Sequence, residues 1–251
     1  MSSSKPWLVA AGVCLVAWLV GAARAGAPPP PEELLPELRD EPLQTPTRME
    51  PFSFDYRGHT YDVEPVADYV ISALVMSRND PTSFMDAYHD RDSVDTRDFC
   101  VVFGPNVDLD LTKVEVKNTS FFCWVRWERG VDFDMTALSN NHLITDSEEV
   151  RRQIADIEPG DQIRVNGWLV NYSPRENPSW VRRTSTTRDD NGGGACEVLF
   201  VDTLEVLARG DRLPYRMAGF GKWGLVAVVL AWVGSFLVSA ARGTVRFTPR
   251  G

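Results

Sequence analysis

Histidine, carboxylate, arginine and cysteine are the side chains from which this chain can build a reactive or binding centre, and they gather in a few places. Asn140-Asn141-His142 stands in a polar segment ahead of a helical pattern. A loop imidazole there can serve as a general base or a metal ligand. The plainer reading is a turn built by the two amides, with His142 bonding backbone groups. His89-Asp-Arg-Asp-Ser-Val-Asp-Thr-Arg-Asp98 puts four acids and a histidine in ten residues. Converging carboxylates bind calcium, but the acid order and glycine turn of a calcium loop are missing, which favours a solvated loop. His59 follows Gly58 in a turn and reads as structural.

A third grouping is Arg182, Arg183 and Arg188 among serines and threonines, with Trp168, Tyr172 and Trp180 nearby. It is a concentrated basic patch, and stacked aromatics beside cations can hold a nucleic-acid strand, a glycan or an acidic peptide. The alternative is a solvent-facing edge strand whose charges discourage aggregation. There is no G-x-S-x-G, and Ser179 and Ser185 have no evident base, so nucleophilic catalysis by serine is not expected. No CxxC and no zinc-type Cys/His spacing occurs either, so neither a metal site nor a cofactor is expected.

The elements that position these groups lie in a chain of 251 residues with 26 bases and 35 acids. All the acids fall between Glu32 and Asp211, whereas the two ends carry Lys5, Arg24, Lys222, Arg242, Arg246 and Arg250 and no acid. Removing those six bases from 26 leaves 20 against 35 acids, a balance of −15 for residues 26–220. Nucleic acid is therefore not an expected partner. Residues 6–23 and 223–241 are uncharged and apolar, close to the roughly 20 residues that cross a bilayer core as a helix. Residues 1–25 read either as a signal peptide cleaved after Ala23-Arg24-Ala25 or as an uncleaved anchor. Residues 222–241 read as a transmembrane helix, and the basic tail 242–251 places its far end in the cytoplasm. The expectation is a bacterial inner-membrane protein whose main domain is periplasmic. Cys100, Cys123 and Cys196 would then lie where disulfides persist. Cys100 and Cys123 sit in apolar runs that read as neighbouring strands and form the favoured bridge; Cys196 is left over or takes either partner.

Residues 26–51 hold Pro28 to Pro31, Pro36, Pro42, Pro46 and Pro51, which predicts a stiff extended linker. From Phe52 to residue 212 strand patterns dominate. A hairpin is expected at 52–63 around Gly58, with strands near 69–77, 98–104, 112–117, 120–127, 162–172, 180–187 and 196–207. Asp146-Ser147-Glu148-Glu149 caps one short helix reaching Ile157. The step from that helix into Pro159-Gly160-Asp161-Gln162-Ile163, with Gly167 in mid-strand, resembles OB-type barrels. The fold class read from this is mainly β: an OB-like, partly open antiparallel barrel.

Residues Arg97–Gly104, Ser139-Asn140-Asn141-His142-Leu143-Ile144, Gly160–Arg164 and Gly194-Ala195-Cys196-Glu197 together resemble a family of uncharacterised bacterial membrane-anchored exported proteins. That resemblance implies a location and no activity. The functional expectation is a membrane-anchored extracytoplasmic binding or assembly module, its partners the membrane and another envelope protein. Two alternatives are a metal-dependent hydrolase using His142 and acids of the 86–98 loop, and an accessory subunit of a membrane transporter.

Overall fold

The computed structural model describes residues 5–79, 94–119, 122–189 and 196–241. Most of the 86–98 loop, the glycine-rich tip and the basic tail lie outside those residues. The chain divides into two compact units, Gly26–Gly210 and a second made of Met1–Ala25 with Asp211–Gly251.

The larger unit is mainly β. Its strands are β1 (Leu43–Pro46), β2 (Phe52–Tyr56), β3 (His59–Asn79), β4 (Arg97–Val102), β5 (Val114–Thr119), β6 (Phe122–Trp127), β7 (Leu138–Ile144), β8 (Gln162–Pro174) and β9 (Glu197–Ala208). β3 pairs with β1, β2, β4 and β8, β4 with β7, β7 with β9, and β9 with β8. The sheet is mixed rather than wholly antiparallel, because β9 runs parallel to β7. β8 lies on the far side of β9 and antiparallel to it, so β9 takes the direction of β7. β5 and β6 form a separate two-stranded sheet.

The 52–63 hairpin forms around Arg57 and Gly58, both at positive φ, where glycine relieves the strain of the left-handed region. Its second strand runs on as one 21-residue β3 instead of breaking before Tyr69. Pro65 is accommodated because the register of β3 against β8 shifts between Pro65 and Ala67, where a missing N–H costs least. Period-two alternation sends Tyr69, Ile71, Phe99, Val101, Leu143, Ile163, Val165, Leu199 and Val201 into one core. α2 (Glu148–Asp156) closes that core with Val150 and Ile154, and Ile157 just past its end joins them. Ser147 caps α2 by accepting the Val150 N–H at 3.3 Å.

Two expectations are corrected. Residues 26–51 are not a free spacer. Pro31 and Pro36 open short 3-10 turns that bury Leu34 and Leu38 in an apolar cluster with Leu74, Met76 and Val102. Gln162 fastens the segment, accepting from Leu35 N at 2.8 Å and donating to Glu33 O at 3.0 Å. Residues 180–188 are not a strand; only Arg182 bridges to Tyr172.

In the smaller unit, α1 (Lys5–Arg24) and α3 (Leu213–Ala241) are each long and apolar enough to cross a membrane. They pack antiparallel through glycines. A Cβ on Gly21 would lie 2.4 Å from Ala218 N, and one on Gly221 would lie 2.3 Å from Trp18 N. Such close approach is what small residues permit between membrane helices.

Gly167 lies where the sheet has no room for a side chain: a Cβ there would meet Phe200 O at 2.0 Å. Gly167→Ala is therefore expected to destabilise the protein by about 1–3 kcal/mol, the usual cost of forcing atoms into a packed core. Gly12→Ala, which meets nothing within 4 Å, should leave the unfolding midpoint unchanged. Denaturation of the full chain in mild detergent measures both, and equal midpoints for the two variants would contradict the packing argument.

Candidate functional site

β4, β7 and β9 lie side by side, and their register decides what faces what. Asp98 is opposite His142, and Cys100 is opposite Asn140. Asn141 is opposite Glu197, which puts Cys196 beside Asn140. Alternation turns Asp98, Cys100, Asn140, His142 and Cys196 to the side away from the main core. On that side an apolar cluster with Ile144, Val198 and Phe200 lies at one end and the cluster with Val102 at the other. The polar groups form a buried strip between them.

Within the strip His142 Nδ1 is 2.8 Å from Asp98 Oδ1, with both side chains almost fully buried. Arg182 Nη2 is 2.7 Å from His142 Nε2. Asn140 Nδ2 donates to Cys196 Sγ at 3.2 Å, and the Cys196 thiol also bonds His142. Tyr172 donates its hydroxyl proton to Asp95 Oδ1 at 3.4 Å. Burial first, and then Asp95 beside it, holds that phenol well above its ordinary pKa, so it remains a donor. Asp98 Oδ2 is buried with no hydrogen-bond partner among the described residues.

Opposing forces set the charge of His142. Burial disfavours the imidazolium, while the carboxylates of Asp98 and Asp95 favour it and carry its pKa up to about 10. A guanidinium only donates, so its contact with Nε2 needs a lone pair that the imidazolium lacks. The charged ring and the docked Arg182 therefore exclude one another. Two buried carboxylates facing one guanidinium make the charged ring the better balance.

The structure brings Tyr172 and Arg182 to this strip and sends the rest of the expected patch elsewhere. Trp180 is exposed and meets the Tyr172 ring edge-on at 5.8 Å. Arg183 is exposed. Trp168 leans on Phe200 at 6.2 Å. Arg188 lies towards the main core, paired with Glu197 at 2.6 Å, bonded to Tyr69 and placed over the Phe103 ring. Arg188 is thus separated from the others, while Trp168 and Tyr172 share one apolar cluster, Trp180 packs on Tyr172 and Arg182 bridges to it. Asn140, Asn141 and His142 are not a loop but the centre of β7, where all three pair with β4 and Asn141 and His142 also pair with β9. Asn141 faces the other way from His142 and lines the core beside Phe99, Leu143 and Leu199. Of the 86–98 acids, Asp95 and Asp98 reach His142; Asp86, Asp90 and Asp92 lie outside the described residues. Among the described residues no group of three or more His, Cys, Asp or Glu could hold a metal ion. The sequence reading grouped Asp98 with the loop acids and left Cys196 over for a bridge; that both stand beside Asn140 and His142 on adjacent strands is seen only in the structure.

A second feature is exposed. The disulfide Cys100–Cys123 ties β6 to β4, the bridge expected from the sequence. Cys123 and Val125 face inward, so Phe122 and Trp124 face solvent at 50% and 44% exposure. Lys117 and Arg126 lie 5.5 and 5.7 Å from the Trp124 ring centre. No protein-family model, no curated protein and no solved structure matches this chain.

The pH dependence of stability follows from His142. Its folded pKa, near 10, stands above the ordinary 6.5. The stability it confers is full below about pH 6.5 and is lost as the pH rises through about 10. The gap in urea midpoint between wild type and His142→Asn should therefore be widest at acid to neutral pH and close towards pH 10. A gap that stays constant or widens would show the ring to be neutral when folded.

Proposed function

We propose that the protein is a membrane-anchored extracytoplasmic assembly module with an OB-like body, held by another protein of the bacterial envelope. The OB reading is supported by strand pairings that run β3-β4-β7-β9-β8 and return to β3. It is also supported by the parallel β7–β9 pair, the helix between β7 and β8, and the bend at Gly167. α1 and α3 together serve as an uncleaved two-helix anchor at the inner membrane, a reading that their glycine-to-backbone packing favours. The bases at both chain ends and the Cys100–Cys123 bridge favour a periplasmic body and a cytoplasmic 242–251 tail.

The observation that carries the binding reading is the outer face of β5 and β6. Exposed aromatics flanked by arginine are the usual anchors of protein interfaces. Here Phe122, Trp124, Lys117 and Arg126 stand together on a hairpin covalently fixed to the sheet. The partner is a protein offering apolar and acidic side chains. Hydrolysis through a metal on His142 is not favoured, because Asp98 holds one ring nitrogen and the charged ring has no lone pair to offer a metal.

In native membranes solubilised in mild detergent, Phe122→Ser with Trp124→Ser is expected to shift the protein from a larger complex to a lower mass on native electrophoresis. The Cys100–Cys123 bridge should be retained. An unchanged mass with the bridge intact would remove the interface. In spheroplasts, added protease is expected to digest the β body and leave a C-terminal tag protected; a digested tag beside a protected body would reverse the assigned sides.

A further inference from the structure

The strip contains chemistry that the docking reading does not use. Cys100, Asn140 and Cys196 stand in one row across β4, β7 and β9. Cys123 Sγ, bound to Cys100, lies 3.8 Å from Ser139 O. Cys196 Sγ lies 3.2 Å from Nδ2 of the next residue, Asn140. The disulfide and the remaining buried thiol of the β unit are thus gathered over one peptide of β7.

The distances assign the partners. Cys100 is in β4 and Cys196 immediately precedes β9, two strands away, so their Cα atoms are separated by about 10 Å. A disulfide needs Cα atoms closer than about 7 Å; Cys100 is fixed in β4, and Cys196 is held next to β9 by the bond from Ser185 N to its carbonyl. Cys123 is not in that sheet. It rides on the separate β5–β6 hairpin, which Asn118 ties to Ser77 and Asn140. A shift of the hairpin by about one strand spacing, roughly 5 Å, carries Cys123 from β4 towards β9.

We propose that Cys196, Cys123 and Cys100 form a thiol–disulfide exchange site in which Cys196 takes Cys123 from Cys100. Cys196 gives up its proton and its sulfur bonds to Cys123 Sγ. The Cys100–Cys123 bond breaks, and Cys100 leaves as a thiolate that takes up one proton. One S–S bond replaces another with no net oxidation, so no outside oxidant is needed. The proton that Cys196 gives up balances the one that Cys100 takes up. Exchange re-anchors the hairpin from β4 to the start of β9. The inference holds whether or not the hairpin's aromatic face binds a partner.

The test keeps the full chain in mild detergent at about pH 8 with reduced and oxidised glutathione, conditions in which exchange proceeds. Samples are quenched in acid and alkylated, and bridged peptides are identified by mass spectrometry without reduction. Wild type should yield both Cys100–Cys123 and Cys123–Cys196. Cys196→Ser should lose the second entirely and keep the first. Cys100→Ser treated with oxidised glutathione should form Cys123–Cys196 within the monomer, whereas Cys123→Ser should leave Cys100 and Cys196 separately alkylated. The wild-type arm needs no substitution and decides the matter even if a variant fails to fold. The proposal is overturned if wild type gives Cys100–Cys123 alone with Cys196 alkylated or glutathionylated, or if the second bridge joins Cys100 to Cys196.

Discussion

A carboxylate with no solvent exposure governs the outer side of this sheet. Asp98 is fully buried, and an ionised group there is tolerable only with partners; removing one partner of a buried pair typically costs about 3–5 kcal/mol. His142 pairs with Asp98, and the Arg182 guanidinium lies beside the His142 ring. That chain of contacts fixes the path of the segment after β8. Arg182 must stand over β7, while Arg188 must reach Glu197 and Tyr69 on the core side. Between them Thr184 accepts from Val198 N at 3.0 Å, and Ser185 N donates to Cys196 O at 2.9 Å. The segment is irregular because its groups serve targets on both sides of β9, which no single strand face can do.

The same requirement separates what the sequence made legible from what it hid. Alternating apolar residues disclosed β4, β6, β8 and β9, and the Ser147 cap with its acids disclosed α2. Uncharged length disclosed α1 and α3. Local signals sufficed because each of these elements satisfies itself or buries one continuous face. The site was misread for the opposite reason. Asn140-Asn141-His142 is a polar triplet, and polarity argues for a loop until a neighbouring strand supplies Asp98 and Cys196. Those partners are far off in the chain, so pattern alone could not place them. The proline-rich segment was misread similarly: Leu34 and Leu38 bury only because Leu74 and Val102 present an apolar surface to them. The basic patch failed as a patch because Arg188 looks equally charged whether it faces solvent or caps a core.

Charge and covalency divide the work of holding the covering layers. Over the middle of the strip, ionic partners hold the 182–188 segment. Over β4, the β5–β6 hairpin has little to hold it. A two-stranded sheet alone is marginal in water, and this one buries mainly Val114, Val116 and Val125 against the body. Its aromatic residues Phe122 and Trp124 point outward and contribute no core. The Cys100–Cys123 bridge closes a 23-residue separation, which on a chain-entropy model is worth about 3 kcal/mol. Tethering by a bond rather than by burial keeps the aromatic face on the solvent side. It also makes the position of that face depend on which sulfur holds Cys123, and the neighbouring sulfur, Cys196, is held in the strip by Asn140, beside the His142 that the buried carboxylate orders.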